Sequence, residues 1–377
     1  MVFTEDSKHL IVTAMERGRE KIFKVSLENG AVHTLVSEGS NSGPIFRPGH
    51  SSMIFLSSSA ICPFSLQKLD TMSGQIDEIL GCDPDLEKFE LRKPEFVQFP
   101  GWGGVAIQAL LFKSINFDSS KKHPLALLIH GGPQGAFNDG FSLRWNYQPF
   151  LSKGYVVLAI NPHGSTGYGQ SFTDAVSKNW GGSPFIDIMK GVDWALKTYS
   201  WIDKDRMCAL GASYGGYMVN WINGHTNRFA CLVNHDGMFS TISAFYSTDE
   251  LWFNEWEFGI PWDPKARVVY EKWNPERFVD QWRTPTLVIH GEKDYRLTVN
   301  EGLSTFTALQ RRGISSKLLY FPDENHWVSN VENRLRWYTE VFKWLESNTE
   351  IPVSRDQSWR NPDDEGQFSI ERFSIEN

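Results

Sequence analysis

A serine set between glycines could act as a nucleophile at residues 211–215. The pentapeptide Gly-Ala-Ser-Tyr-Gly fits the pattern G-x-S-x-G, and it directly follows an apolar run that ends at Leu210. Glycines at a strand-to-helix turn allow a strained backbone from which the serine hydroxyl projects beyond the strand. The pentapeptide alone is also compatible with an ordinary turn, so the role of Ser213 depends on partners elsewhere in the chain.

An acid and a base follow Ser213 in the order that this kind of turn requires. Asp294 lies just beyond a predicted strand in "LVIHGEKDYR", and His326 lies just beyond another in "LYFPDENHWV". An imidazole can accept the proton of a serine hydroxyl near neutral pH, and a carboxylate fixes the tautomer of that imidazole. We therefore predict that Ser213 is the nucleophile, His326 the base and Asp294 the acid. Glu292, in the same loop as Asp294, stays open as an alternative acid.

The stretch "LLIHGGPQG" could supply the electrophilic part of the site. Gly131 and Gly132 follow a buried strand, and glycine there lets a backbone N–H face a reacting carbonyl group. We predict that the amides of Gly132 and Tyr214 stabilise the oxyanion. The alternative is a glycine-rich turn that makes no contact with substrate.

Four further histidines are candidates for the surroundings of the site. His130 and His290 end predicted strands, and we expect them to form hydrogen bonds with the backbone. His163 and His235 occupy loops at the same edge of the sheet, where either a structural role or a place in the lining of the site is open.

Alternating strands and helices must position these residues from about Glu95 onward. Several predicted strands are apolar throughout, as strands buried on both faces must be. The strand candidates span residues 105–112, 124–130, 154–160, 206–210, 229–234, 285–290 and 316–321. This pattern predicts an α/β fold with a mostly parallel sheet over residues 95–348, and it brings Ser213, Asp294 and His326 to the same edge.

Residues 1–94 contain two copies of a short β unit. Each copy has a phenylalanine, a turn and an apolar strand, beginning at Phe3 and Phe46, and a later turn glycine at Gly30 and Gly74. A repeat of about 43 to 44 residues is typical of a four-stranded propeller blade. Two blades cannot close a ring, so we expect an incomplete β-propeller-like region. The chain then either begins partway through a longer protein, which we favour, or carries a reduced module.

Composition excludes several classes of partner and cofactor. The chain has 37 basic and 45 acidic residues, a formal charge of -8, and no basic block that could follow a phosphate backbone. Its four cysteines show no CxxC pairing of the kind found in zinc and dithiol sites. Cys208 and Cys231 lie in apolar runs as expected of buried residues, and Cys62 and Cys82 could pair in an oxidising compartment.

The sequence can be searched for signals of secretion, membrane insertion and glycosylation, which indicate location. The first residues lack the apolar core of a signal peptide, no stretch is long enough to span a membrane, and no Asn-x-Ser/Thr acceptor occurs. We therefore expect a cytoplasmic protein with no membrane partner, or a secreted one if its true start lies further upstream. Residues 349–377 lose apolar periodicity and are predicted to form a flexible polar tail.

Five ordered motifs resemble those of the prolyl oligopeptidase family of serine peptidases, in its acylaminoacyl-peptidase and fungal dipeptidyl peptidase V branch. They are "HGGPQGAFNDGFSLRWNYQPF", "NPHGSTGYGQSF", "GASYGGYMVNW", "HGEKDYR" and "PDENHWV". The resemblance covers residues 95–348 and the blade-like region before them. It implies an α/β-hydrolase domain next to a propeller that limits substrates to short peptides, with the residues predicted above as triad and oxyanion donors and with neither metal nor cofactor.

The resemblance also implies residues that bind substrate. Arg296 matches a family arginine that holds a substrate carbonyl, with a surface salt bridge as the alternative. Residues 247–262 are rich in aromatic and acidic side chains and resemble an insertion of the branch. In that segment Glu250, Glu255 and Glu257 are candidates to pair with the free amine of a peptide, and packing of the aromatic residues is the alternative.

The resulting hypothesis is a serine exopeptidase, similar to dipeptidyl peptidase V, that cleaves short peptides through an acyl-enzyme. An acylaminoacyl peptidase or a carboxylesterase would use the same triad. A catalytically inactive interaction protein of the propeller type is the alternative from another class. We expect no nucleic acid partner, and a homo-oligomer stays open.

Overall fold

The computed structural model describes residues 1–46, 51–350 and 353–363. Its first eight strands form one hydrogen-bonded set of two antiparallel meanders, β1–β4 and β5–β8, which meet at a single parallel pair between Glu20 and Ser40. The strands are β1 Val2–Phe3, β2 His9–Glu16, β3 Arg19–Ser26, β4 Val32–Val36, β5 Ser40–Phe46, β6 Ser52–Ser59, β7 Cys62–Asp70 and β8 Ile76–Leu80.

Each meander has the form of a propeller blade, as the sequence repeat predicts. Gly30 and Gly74 occupy equivalent turns with φ of 72° and 75°. Their amides donate to the carbonyl oxygens of Ser26 and Asp70 at 3.0 and 2.8 Å. A positive φ strongly favours glycine, which explains why this residue recurs at the same place in both repeats. The predicted open, blade-like region is therefore confirmed.

The two meanders pack against each other through their inner faces. The buried side chains of this small core are Ile11, Ile22, Val36, Met53, Phe55 and Leu69. A disulfide joins Cys62 to Cys82 and ties β7 to the segment after β8, with the two Cα atoms 5.7 Å apart. The outer faces carry exposed apolar side chains at Val32, Ile45, Ile54 and Leu56.

The second sheet has eight strands in the order β16-β15-β14-β13-β11-β12-β10-β9. Strands β11 to β16 run parallel to one another, whereas β10 is antiparallel to both of its neighbours, β12 and β9. They are β9 Glu95–Pro100, β10 Ala106–Phe112, β11 His123–Ile129, β12 Val156–Asn161, β13 Ile202–Ala212, β14 Cys231–His235, β15 Thr286–Gly291 and β16 Ser316–Phe321. This topology confirms the predicted mostly parallel sheet.

Helices cover both faces of the second sheet. Leu125 and Leu127 of β11 point to the core under helices α3 (Ser183–Thr198) and α4 (Tyr214–His225). Ala126 and Leu128 point to the core under helices α1 (Tyr147–Ser152) and α9 (Val331–Thr349). Such burial on both sides explains why these strands are apolar throughout. The helices are α1 Tyr147–Ser152, α2 Gln170–Asp174, α3 Ser183–Thr198, α4 Tyr214–His225, α5 Thr241–Ser247, α6 Leu251–Phe258, α7 Pro264–Lys272, α8 Val299–Arg311 and α9 Val331–Thr349.

Residues 353–363 lie against the second sheet and its helices, which differs from the flexible tail predicted there. Trp359 pairs with Thr226, and its indole N–H donates to Asp193 at 3.0 Å. The guanidinium of Arg355 donates to the carbonyl oxygen of Asp205 at 2.7 Å. Trp359 and Arg355 thus anchor this stretch, although its polar composition predicted no fixed contacts.

Some predictions fall on residues outside the described part. These are the turn of the second repeat at 47–50 and the tail residues 351–352 and 364–377. The domain division at residues 94 and 95 stays a prediction, and β9 begins at Glu95. Within the described ranges, every helix is too short or too polar to cross a bilayer.

Candidate active site

Ser213 lies at the sharp turn between β13 and α4. Its φ of 60° and ψ of -122° are rare for a residue with a side chain. A Cβ atom on Gly211 would come within 2.4 Å of the Gly215 carbonyl oxygen, and one on Gly215 would come within 2.2 Å of the Ile129 carbonyl oxygen. Both glycines are therefore needed for the helix to begin directly above the strand ends.

His326 and Asp294 form a hydrogen-bonded pair at the same edge of the sheet. The distance from His326 Nδ1 to Asp294 Oδ2 is 2.7 Å. The other carboxylate oxygen of Asp294 accepts the amides of Arg296 and Leu297 at 2.9 and 3.0 Å, which fixes the side chain. Since Nδ1 donates to the carboxylate, Nε2 of the imidazole remains free to accept a proton.

Two carboxylates control the basicity of His326. Burial lowers the pKa of this histidine, but the charge of Asp236 and the hydrogen bond and charge of Asp294 outweigh burial. The net pKa lies above the ordinary value of 6.5, and Arg144 acts in the opposite direction. His326 is thus a stronger base than an isolated imidazole would be at this depth.

Asp236 is a residue of this site that the sequence reasoning missed. It follows the last residue of β14 and is fully buried. Its Oδ1 accepts the amide of Ser213 at 2.7 Å, and its Oδ2 lies 2.9 Å from Arg144 Nη2 and 3.8 Å from His326 Nδ1. The available signal was position, because β14 runs between β13 and β15 and must end at the same edge of the sheet.

A cavity of about 310 Å³ brings most of the predicted residues together. Its lining includes Ser213, His326, Gly131, Gly132 and Tyr214. A Cβ atom on Gly131 would lie 3.2 Å from Ser213 Cβ, so the glycine loop is in close contact with the serine. The amide of Tyr214 belongs to the first turn of α4, where backbone N–H groups have no partner within the helix.

The candidate substrate-binding residues separate into two groups. Glu250 and Arg296 line the cavity and form an ion pair with 2.7 Å between Oε1 and Nη2. Glu255 is exposed and lies outside the cavity lining, as that lining is described. Glu257 is fully buried, and its carboxylate accepts hydrogen bonds from Gln134, Ser177 and Trp180. Only Glu250 of the three glutamates is therefore placed to meet a substrate.

The remaining histidines have structural contacts. His130 Nδ1 lies 2.7 Å from the Gly131 carbonyl oxygen, and His290 Nε2 lies 2.7 Å from that of Leu297, which confirms the expected backbone contacts. His163 is held by the carboxylate of Asp187 at 2.6 Å. Burial lowers the pKa of His130 to about 4, so its ring is neutral at physiological pH.

Comparison with solved structures identifies the fold of the chain. An acylaminoacyl peptidase of Pyrococcus horikoshii superposes with a TM-score of 0.82 at 23% identity, covering 93% of this chain and 56% of that chain. A puromycin-hydrolyzing peptidase of Mycobacterium tuberculosis gives a TM-score of 0.79 at 20% identity, covering 92% and 53%. These likenesses show a shared α/β-hydrolase architecture with strands before it.

Sequence comparison identifies the family. Dipeptidyl-peptidase 5 of Schizosaccharomyces pombe is 45% identical over 347 residues, which cover 91% of this chain and 50% of that protein. Dipeptidyl-peptidase 5 of Aspergillus fumigatus is 41% identical over 365 residues, covering 93% and 50%. The chain thus spans about half the length of these relatives. The model of the prolyl oligopeptidase family matches residues 141–351, so the predicted family is confirmed and the chain belongs to it.

Proposed function

We propose that this chain carries the catalytic site of a serine exopeptidase that hydrolyses short peptides through an acyl-enzyme. The observation that carries the proposal is the arrangement around one cavity of Ser213 at a strained turn and His326 held by Asp294 at 2.7 Å. The names of the relatives, dipeptidyl-peptidase 5, support a peptidase that acts near the amino end of its substrate.

The proposed reaction follows from the chemistry of the three side chains. Ser213 Oγ attacks the scissile carbonyl carbon while His326 Nε2 takes the hydroxyl proton, and Asp294 stabilises the imidazolium that forms. The amides of Gly132 and Tyr214 donate to the oxyanion. His326 then gives the proton to the leaving amine, and water hydrolyses the ester of Ser213 by the same steps.

We propose that Glu250 and Arg296 select the amino end of the peptide. In the substrate complex the ammonium group pairs with Glu250, and Arg296 moves to a carbonyl oxygen of the peptide. This proposal is supported by the position of both side chains in the cavity and by their 2.7 Å contact, which shows that Glu250 can reach a cation there. It makes short peptides with a free amino end the preferred substrates.

An acylaminoacyl peptidase is the second candidate, and the same ion pair is the observation that favours it. If Arg296 stays on Glu250, the pair presents no net charge to the substrate, which suits a blocked amino end. A carboxylesterase with the same triad stays an alternative, because an ester needs neither charged residue. An inactive interaction protein is disfavoured by the intact set of serine, histidine, aspartate and glycine loop.

The partners and the location of the chain are proposed from its composition and its disulfide. We propose short peptides as the partners, with nucleic acid and membrane excluded on the charge pattern and hydropathy of the sequence, and a homo-oligomer left open. The sequence prediction is the cytoplasm, whereas the Cys62–Cys82 bond supports secretion, because disulfides persist in oxidising compartments. Fractionation of the producing cells decides between them.

Covalent labelling tests the enzyme hypothesis directly. A fluorophosphonate probe reacts with activated serine hydroxyls, so we expect labelling of the wild-type chain and its loss in Ser213→Ala. Ser347→Ala, at an exposed position near the end of α9 and outside the cavity lining as described, serves as the matched control and should label as the wild type does. Absence of labelling in the folded wild-type chain would overturn the proposal in favour of a binding protein.

A further inference from the structure

A second buried carboxylate stands beside the predicted triad. The proton-binding atoms of Asp236, Asp294 and His326 all lie within 4.8 Å of one another. Asp294 makes the short hydrogen bond with the imidazole, whereas Asp236 Oδ2 stands 3.8 Å from the same Nδ1 atom. A buried carboxylate needs compensating partners, and the arrangement of those partners indicates what Asp236 does.

Each oxygen of Asp236 contacts a different part of the site. Oδ1 accepts the amide of Ser213 at 2.7 Å, so it supports the backbone of the nucleophile. Oδ2 accepts from Arg144 Nη2 at 2.9 Å and lies 3.1 Å from His235 Nε2. The same Arg144 nitrogen donates to the carbonyl oxygen of His326 at 2.9 Å. One carboxylate and one guanidinium therefore connect the serine turn to the histidine loop.

Backbone strain occurs on both sides of this contact. Ser213 has a φ of 60° and Asp236 a φ of 42°, which are uncommon for residues other than glycine. Strain of this kind persists only where surrounding contacts hold it, and it occurs often at functional sites. The hydrogen bond between the two strained residues holds the serine turn and the end of β14 in a fixed relation.

The charges around His326 balance only when Asp236 is counted. The charged groups that act on the imidazole are Asp236, Asp294 and Arg144. His235 lies beside Asp236, and His290 lies beside Asp294. Burial lowers the pKa of His235 to about 3, so that ring is neutral. Once His326 has taken the serine proton, two carboxylates face two cations, Arg144 and the imidazolium. Without Asp236, two cations would share one carboxylate.

We propose that Asp236, held by Arg144, is a positioning residue of the site, which fixes the backbone of Ser213 and stabilises the protonated form of His326 together with Asp294. The proposal rests on the proposed function in that Ser213 and His326 are taken as nucleophile and base. It adds a second carboxylate and a cation to a site that the sequence describes with one acid.

Substitutions of Asp236 and of Arg144 should shift the protonation of His326 in opposite directions. Asp236→Asn keeps the size, tolerates the left-handed backbone and can still accept the Ser213 amide, but it leaves Asp294 as the one carboxylate facing both Arg144 and the imidazolium. We expect kcat/KM to fall by about 10- to 100-fold through misplacement of the reacting groups. The acidic limb of the kcat/KM profile should move to lower pH. Arg144→Gln removes the opposing cation and should move that limb to higher pH.

A matched control separates this role from simple stabilisation. Asp187 is an equally buried carboxylate that accepts the amides of Trp102 and His163, and it lies outside the cavity lining as described. Asp187→Asn should lower stability yet leave the acidic limb at its wild-type pH. Acidic limbs of Asp236→Asn and Arg144→Gln that both coincide with that of the wild type, or that move in the same direction, would overturn the proposal.

A spectroscopic titration keeps the proposal testable without turnover. The imidazole resonances of His326 can be assigned by their loss in His326→Gln, and their titration should move in the same two opposite directions in the two variants. If the wild-type chain proves inactive but these titrations diverge, the positioning role holds and the proposed function fails. If the chain is active and the titrations coincide, the proposed function holds and the positioning role fails.

Discussion

In the proposed function, recognition of a free amino end depends on Glu250. Its carboxylate lines the cavity, while Glu255 on the same segment is exposed and outside that lining. We expect Glu250→Gln to raise KM for dipeptidyl substrates with a free amine by about fivefold, since a rim ion pair contributes about 1 kcal/mol. The KM for their N-acetylated forms should change much less.

Glu255→Gln is the matched control for this prediction, with the same chemical change on the next turn of the segment. Its KM values for both substrate types should equal those of the wild type. Equal losses on free and acetylated substrates in Glu250→Gln would remove the amine-binding role and favour the acylaminoacyl alternative.

At this scale, the residues of the proposed triad are easier to predict from the sequence than the residues that support them. Ser213, Asp294 and His326 could be found because each follows a parallel strand, and parallel strands end at one edge. Asp236 follows such a strand too, but the Ser-Asp-His pattern needs only three residues and gives no reason to single out a fourth. The burial of Glu257 could not be predicted, because its three hydrogen-bond donors come from distant parts of the chain, which no local pattern reveals.

At the scale of elements, the close approach of α4 to the end of β14 depends on Gly216. A Cβ atom there would come within 2.6 Å of Gly237 Cα and 2.7 Å of the His235 carbonyl oxygen, and these backbone atoms cannot easily move. Alanine is favoured over glycine in a helix by about 0.5–1 kcal/mol, but overpacking costs about 1–3 kcal/mol. We expect the clash to outweigh the gain, so Gly216→Ala should lower the free energy of unfolding in denaturant titration.

Gly81→Ala provides the comparison, because the nearest atom to its added Cβ is the end of the flexible Glu78 side chain at 2.7 Å. That substitution should change stability by less than about 0.5 kcal/mol. A Gly216→Ala chain as stable as the wild type would mean that α4 can shift away from β14 without loss.

The elements themselves were largely readable from the sequence. Continuous apolar runs predicted β11 to β16, and glycines at equal spacing predicted the hairpin turns at Gly30 and Gly74. The contacts of residues 353–363 were not readable, because they depend on where Trp359 meets Thr226 in three dimensions. Periodicity reports burial along one element and carries no information about docking between distant segments.

At the scale of the whole molecule, buried neutral histidines make stability depend on pH. Burial lowers the pKa of His130 and of His225 to about 4 and that of His235 to about 3. In the unfolded chain these groups take up protons near pH 6.5, so the unfolded state binds more protons below that pH. Their stabilisation is therefore fully present above about pH 6.5 and is lost as the pH falls towards 4. His326 acts in the opposite direction, because its pKa is raised.

His225 offers the cleanest test of this dependence because it lies outside the active-site cavity. The centroid of its ring lies 4.0 Å from that of the Trp221 ring in a stacked arrangement, and its Nδ1 forms a hydrogen bond with the Trp221 carbonyl oxygen. His225→Gln cannot titrate, so it should lose less stability than the wild type between pH 6.5 and 4.5, by up to about 1.4 kcal/mol per pH unit. Denaturant titrations at several pH values measure the difference. A slope of stability against pH for His225→Gln that equals the wild-type slope would show that His225 binds protons alike in the folded and unfolded chain, and would contradict this prediction.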